Sequence, residues 1–217
     1  MMFDTIKRWM GSAPDAGGAD PKVLTTWARG AGHAVKTVSG STPGLVIESP
    51  TGWRLEWGPT QRPYYVGHEL RFRCDCGVPG DVQMLWISKA MAHNLETDVF
   101  QRFTDAMQTR VDNTLPDEMR WLAMHPKVLL TDRPLLARRF LLLSNAEALT
   151  LQWLDADLLD ALEAAATTWW TDNLAMVMTV NRGLLTIRMS GEAVEPRQLD
   201  VVSALFEHAA GRLTDVA

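Results

Sequence analysis

The feature that most constrains the fold is a pair of segments, Trp53–Trp57 and Glu69–Cys74, in which apolar and charged residues alternate. Alternation with a period of two is typical of a β-strand that turns one face to a core and the other to water. We therefore expect two neighbouring strands whose charged side chains pair in water, with each exposed pair contributing about 0–1 kcal/mol. The charged positions are Arg54, Glu56, Glu69, Arg71 and Arg73.

Further strands are indicated by β-branched and apolar runs that short turns separate. Connections this short favour antiparallel neighbours, because parallel strands need a long crossover. The last two strands form a hairpin around Asn181-Arg182-Gly183, where the glycine suits a left-handed turn position. The predicted strands, besides the two above, are Ala34–Val38, Leu45–Glu48, Val82–Ile87, Leu174–Val180 and Leu184–Met189.

Amphipathic helices are predicted between and after these strands. Three of them have clear starts, at Asp20-Pro21, at Asp155 and at Glu195-Pro196. The pattern leaves Leu141–Leu143 open as the end of a short helix or as a strand. The other predicted helices are Lys89–Phe103, one that starts at Thr114 and ends before His125-Pro126, and Arg133–Phe140.

Together these elements predict the α+β class, with antiparallel strands and amphipathic helices packed on one face. Residues 1–20 read as a short amphipathic segment followed by a flexible linker, and residues 21–217 as the α+β domain. Strands followed by a helix occur in both halves. Two related sub-units, 21–110 and 130–217, would explain that order, although no residue-level repeat is visible.

Composition narrows the function classes. A formal net charge of −5 over 217 residues gives no general basic field, so the sequence offers no case for nucleic-acid binding. Two cysteines cannot build a disulfide framework and point to a reducing cytoplasm. No apolar run is long enough to span a membrane. Trp9 and Phe3 opposite Lys7 and Arg8 leave open a weak peripheral membrane contact through residues 1–10.

The loop Gly58–His68 is the candidate site, since it places aromatic and basic side chains on a frame stiffened by two prolines. A guanidinium there can clamp a carboxylate or phosphate while a tyrosine ring stacks on a planar ligand. The structural alternative is that the tyrosines cover the sheet and the arginine stacks on a ring. The candidate ligand- or partner-binding residues are Gln61, Arg62, Tyr64, Tyr65 and His68.

No signature for catalysis, a cofactor or a metal emerges. Cys74-Asp75-Cys76 with His68 lacks the paired spacing of a zinc site. The sequence has no glycine-rich dinucleotide or phosphate-binding loop, no zinc-protease motif and no nucleophile elbow. An enzyme with His68 or His125 as acid–base and Arg62 as anion clamp stays open as an alternative.

Three segments, MFDTIKRWMG, WRLEWGPTQRPYYVGHELRFR and TDAMQTRVDNTLPDEMRWLAM, carry a resemblance. The chain resembles an uncharacterised family of soluble, mainly proteobacterial proteins of unknown function. Its last eighty residues are also similar to a wider bacterial family in which a strand, a helix and a hairpin recur. The resemblance implies a bacterial source and a cytoplasmic or membrane-peripheral location, and it implies no activity. We expect a non-enzymatic module that binds a protein partner or a small anionic ligand through the Gly58–His68 loop.

Overall fold

The computed structural model describes residues 21–39, 44–106 and 115–217. Within these ranges the chain forms eight strands and seven helices. The strands are β1 (Ala34–Val38), β2 (Gly44–Glu48), β3 (Arg54–Pro59), β4 (His68–Asp75), β5 (Met84–Ser88), β6 (Phe140–Ser144), β7 (Met176–Asn181) and β8 (Leu184–Ser190). The helices are α1 (Pro21–Gly30), α2 (Lys89–Ala106), α3 (Asp117–Met124), α4 (Pro134–Arg139), α5 (Glu147–Trp153), α6 (Ala156–Thr168) and α7 (Pro196–Asp215).

All eight strands join one antiparallel sheet in the order β1-β2-β3-β4-β8-β7-β5-β6. Tight turns connect its hairpins where the backbone enters the left-handed region. Gly52 between β2 and β3 has φ +93°, and Arg182 and Gly183 between β7 and β8 have φ 53° and +79°. The predicted glycine turn of the last hairpin is therefore confirmed.

Two separate hydrophobic cores lie on opposite faces of the sheet. In β5, Met84 and Trp86 belong to the larger core, while Leu85 and Ile87 belong to the smaller one. Successive strand residues point to opposite faces, so the two cores cannot share a face. Helices α1, α4, α5, α6 and α7 contribute to the larger core, and α2 and α3 to the smaller one.

The α+β class with an antiparallel sheet and packed helices is confirmed. The prediction placed the helices on one face; five lie there, and α2 and α3 add a second layer on the other. Leu141–Leu143, left open by the pattern, belongs to strand β6 directly after helix α4. The sequence pattern did not indicate α5, whose seven residues are too few for a clear period. Asp155 caps α6 as predicted, its carboxylate accepting from the Leu158 N–H at 2.9 Å.

The sequence also predicted an N-terminal segment with a linker and two related sub-units. The amphipathic segment and linker at residues 1–20 lie outside the described residues. The two sub-units at 21–110 and 130–217 remain a prediction. Strand β5 of the first lies between β7 and β6 of the second, so the strands of the two segments interleave within one sheet.

Candidate functional site

The loop between β3 and β4 folds back over the sheet instead of projecting into water. Its two tyrosines, Tyr64 and Tyr65, are buried in the smaller core with their rings 4.8 Å apart. The Tyr65 hydroxyl donates to the Arg188 carbonyl at 2.9 Å. The Tyr64 hydroxyl is buried, and in the described part of the chain it has no hydrogen-bond partner. Burial, followed by the negative charge of Glu118, raises the pKa of both phenols well above the usual value.

Arg62 is engaged by a carboxylate of the protein itself. Its Nε lies 2.9 Å from Glu118 Oε2, and its Nη2 lies 3.1 Å from Oε1, so the pair is bidentate. Burial by itself would lower the pKa of Arg62, but the charge and hydrogen bonds of Glu118 outweigh it and raise that pKa. Glu118 is almost fully buried in the first turn of α3. The pair therefore fastens the loop to the helix.

His68 closes the other end of the loop. Its ring stacks on Trp57 at 4.2 Å with only 5° between the planes, and its Nδ1 lies 3.1 Å from Glu192 Oε1. The same carboxylate accepts from the His68 backbone N–H. The Gly191 N–H donates to the His68 carbonyl at 2.9 Å. This fastens the β3–β4 loop to the segment that follows β8.

The structure thus divides the five candidate residues into two kinds. Gln61 is exposed at the turn of the loop, and Val66 beside it is 46% exposed. Arg62, Tyr64, Tyr65 and His68 are held by contacts within the protein. The Arg62 and His68 side chains remain 18% and 28% exposed, whereas both tyrosines are buried.

An extended network of charges lies beside this loop. Each of its three carboxylates is shared by at least two guanidinium groups, so the ion pairs form one continuous chain from the middle of β3 to α3. We call it the arginine–glutamate network; its members are Arg54, Glu56, Arg62, Glu69, Arg71, Arg73, Glu118 and Arg188.

The inner part of the network is buried, which corrects the prediction that these charges lie in water. Glu69 is fully buried and accepts from Arg71 and Arg188, each at 2.7 Å. Arg71 itself is only 8% exposed. The strand alternation is as predicted, but the loop and α3 bring Tyr65 and Glu118 to Arg188 on the same face. A pattern within one strand does not show what packs over it.

In the outer part of the network a single carboxylate serves several guanidinium groups. The Glu56 carboxylate faces three guanidiniums: Arg54 at 2.8 Å, Arg71 at 3.0 Å and Arg73 at 3.4 Å. The side chains of Arg54 and Arg73 are 51% and 30% exposed. Five arginines meet three glutamates among the eight residues, although the whole chain carries a net charge of −5. The two more exposed arginines of the network, Arg54 and Arg73, therefore share one carboxylate with the buried Arg71.

Sequence reasoning missed three residues that organise the site: Glu118, Arg188 and Glu192. Glu118 looked like an ordinary acidic residue in the first turn of a helix, and it does occupy that position. Arg188 is the one charged residue of strand β8, and that charge was the available signal. Nothing local marks Glu192, because its partner His68 is 124 residues away.

The two cysteines, Cys74 and Cys76, belong to no metal-binding cluster among the described residues. Burial raises the pKa of Cys74, and burial together with Cys74 raises that of Cys76 to about 12. Among the residues that the structure describes, no three His, Cys, Asp or Glu side chains are grouped to hold a metal ion.

His125 is far from the loop. Its Nε2 lies 2.8 Å from Gln83 Oε1, and burial lowers its pKa. Gln83 precedes β5 at the end of the sheet opposite His68: Met84 pairs with Val180, Val180 with Leu185, and Leu185 with Cys74. His125 and Arg62 therefore do not converge with His68 on one cleft.

A search of the described ranges finds no helix that is both long and apolar enough to cross a membrane.

Comparison with known proteins identifies a likeness of fold. No protein-family model matches the chain, and no curated protein matches it. Among solved structures, the crystal structure of the mycobacterial trehalose monomycolate transport factor A, TtfA, superimposes with a TM-score of 0.50. The match covers 88% of this chain and 93% of that chain, at 10% sequence identity. At that identity the similarity establishes a shared architecture: the α+β fold described above also occurs in a transport factor.

Proposed function

We propose that this protein is a non-enzymatic binding module, and that an acidic segment of a partner protein docks on the exposed face of β3 and β4. The observation that carries the proposal is the single Glu56 carboxylate shared by three guanidiniums. Arginine is the residue best suited to bidentate recognition of a carboxylate. An incoming carboxylate supplies the charge that Glu56 alone does not.

The loop residues contribute to this surface in two ways. Gln61 offers an exposed amide at its edge. Arg62, Tyr64, Tyr65 and His68 hold the loop rigid against α3 and the β8–α7 connection, which lowers the ordering cost of binding. In this proposal Gln61 contacts the partner directly, and the other four residues preorganise the surface.

The likeness to a transport factor supports the proposal only at the level of fold. The solved structure that shares the fold is named as a transport factor, and a fold by itself does not specify a function. The choice of an acidic partner rests on the arginine-rich face alone.

Fluorescence anisotropy with a labelled decaglutamate peptide tests the proposal. The intact protein should bind the peptide and release it as salt is raised, because exposed charges are screened. Arg54→Gln with Arg73→Gln should weaken binding at least tenfold, and Gln61→Ala should weaken it less. Lys36→Gln is the matched control: it removes an exposed cation of β1, the edge strand beyond β2, that pairs with Glu48 outside the network.

Two outcomes would count against the proposal. Equal peptide binding by the double arginine variant and the Lys36 control would remove the face of β3 and β4 from consideration. If citrate competes with the peptide and binds at least as tightly as the peptide does, the ligand is a small anion and not an acidic protein segment.

A further inference from the structure

A second candidate site lies at the opposite side of the sheet, at the outer edge of β6. A half-open groove of about 360 Å³ runs between the first turns of α2, the segment 127–130 and β6. This volume is near the lower end of the range of small-ligand sites, about 300–1,000 Å³. The groove does not touch the arginine–glutamate network, so it is independent of the function proposed above.

The groove lies where the short β-ladder between residues 126–128 and strand β6 ends. The Ser144 N–H donates to the Pro126 carbonyl, and the Val128 N–H donates to the Leu142 carbonyl at 2.8 Å, on either side of the Lys127–Leu143 bridge. After Val128 no further backbone hydrogen bond joins the described residues of this segment to β6. Inside the groove Leu130 and Leu141 are half-buried, whereas Ala92, Val128, Phe140 and Leu142 reach it only with the edges of buried side chains.

The rim of the groove is charged. Lys89 contributes from α2 and Lys127 from the opposite wall, while Glu96 lies further along α2. All three are exposed, and their formal charges sum to one positive charge at the opening. Leu129 adds an apolar side chain that is 72% exposed. A groove with partly exposed leucines and one positive charge at its opening complements a ligand with one apolar tail and one negative charge.

We propose that this groove binds a single short acyl chain that ends in a carboxylate. The chain lies against Leu129, Leu130 and Leu141, and the carboxylate meets Lys89 and Lys127. One negative charge matches the rim better than a doubly charged phosphate does. The modest volume excludes a two-chain lipid.

Titration with decanoate, followed by the methyl NMR signals of Val128, Leu130 and Leu141, tests the proposal on the intact chain. These signals should shift saturably with decanoate and at least tenfold less with decanol at equal concentration. Lys89→Gln with Lys127→Gln should weaken decanoate binding at least fivefold, since it removes both cations of the rim. Both side chains are exposed, so the variant should fold normally.

A second pair of variants distinguishes binding in the groove from nonspecific binding to exposed apolar side chains. Leu129→Gln and Met124→Gln each remove an apolar side chain that is 72% exposed, but only Leu129 lines the groove. Leu129→Gln should weaken decanoate binding while Met124→Gln leaves it within twofold. Equal effects of the two variants, equal shifts by decanol, or no methyl shift by decanoate would each overturn the proposal. So would tighter binding of decaglutamate at these methyls, which would assign the β6 edge to an acidic peptide.

Discussion

The guanidinium of Arg62 is bidentate on the carboxylate of Glu118, a residue 56 positions later in the chain that is only 1% exposed. This ion pair joins the β3–β4 loop to helix α3. The Arg62 Nε and Nη2 are engaged by Glu118, and Nη1 lies 3.4 Å from the Gln61 carbonyl oxygen. The pair ties the loop to α3, while the more exposed arginines, Arg54 and Arg73, lie on β3 and β4.

Arg62→Met should destabilise the protein by roughly 3–5 kcal/mol, because it leaves the buried Glu118 carboxylate without its main partner. Adding Glu118→Leu should recover much of that loss, since the unpaired charge is removed as well. Urea denaturation measures both changes. Arg120→Gln is the control, because its pair with Asp117 is largely exposed and such pairs contribute only about 0–1 kcal/mol.

The same reasoning applies to the combined variant Arg62→Ala with Tyr64→Ala. A loss of about 3 kcal/mol or more lowers the melting temperature by roughly 6 °C or more in a chain of this length. An unchanged melting temperature would contradict the supporting role of the loop. It would restore Arg62 and Tyr64 as residues that contact a partner directly.

Tyr64→Phe and Tyr65→Phe should differ although the two residues are neighbours. The Tyr65 hydroxyl donates to the Arg188 carbonyl, so its removal should cost about 0.5–1.5 kcal/mol. The buried Tyr64 hydroxyl has no partner among the described residues, so its removal should be neutral or stabilising. Chemical denaturation of the two variants gives the comparison. A larger loss for Tyr64→Phe would show that its hydroxyl is bonded after all.

Alkaline pH should act through the same two tyrosines. Burial raises the pKa of both in the folded protein, so above about pH 10 the unfolded chain loses these protons first. Their contribution to stability is therefore complete below pH 10 and is lost as pH rises toward the folded pKa. The free energy of unfolding of the intact chain should fall more steeply above pH 10 than that of Tyr64→Phe with Tyr65→Phe. Parallel curves would refute this assignment.

The sequence indicated seven of the eight described strands, left β6 open and did not indicate the contacts of the site, for physical reasons. Strand alternation and glycine turns act over a few residues, so Trp53–Trp57, Glu69–Cys74 and the Asn181–Gly183 hairpin could be predicted locally. The burial of Glu69 and Tyr64 depends on what packs over their face. That is decided by α3 and by the loop's return over the sheet, through contacts such as Arg62–Glu118 that no local pattern contains.

The N-terminal segment carries a separate prediction, since residues 1–10 lie outside the described residues. Its sequence places Phe3 and Trp9 opposite Lys7 and Arg8, a composition that suits the headgroup region of an anionic membrane. The intact chain should sediment with vesicles that contain anionic lipid, and deletion of residues 2–10 should release it. The control replaces Lys7 and Arg8 with Gln, which should weaken binding at low salt. No sedimentation of the intact chain would remove the idea.

Gly67→Ala should be more damaging than Gly52→Ala, although both glycines have positive φ, +67° and +93°. A side chain in this conformation costs about 1–2 kcal/mol at either position. At Gly52 nothing lies within 4 Å of the added Cβ, whereas at Gly67 the Cβ would overlap the Glu192 carboxylate. That carboxylate must then leave His68, which unfastens the loop from the segment after β8. Hydrogen exchange of the His68 amide should accelerate in Gly67→Ala and stay unchanged in Gly52→Ala. Equal exchange in both variants would mean that Glu192 does not hold the loop.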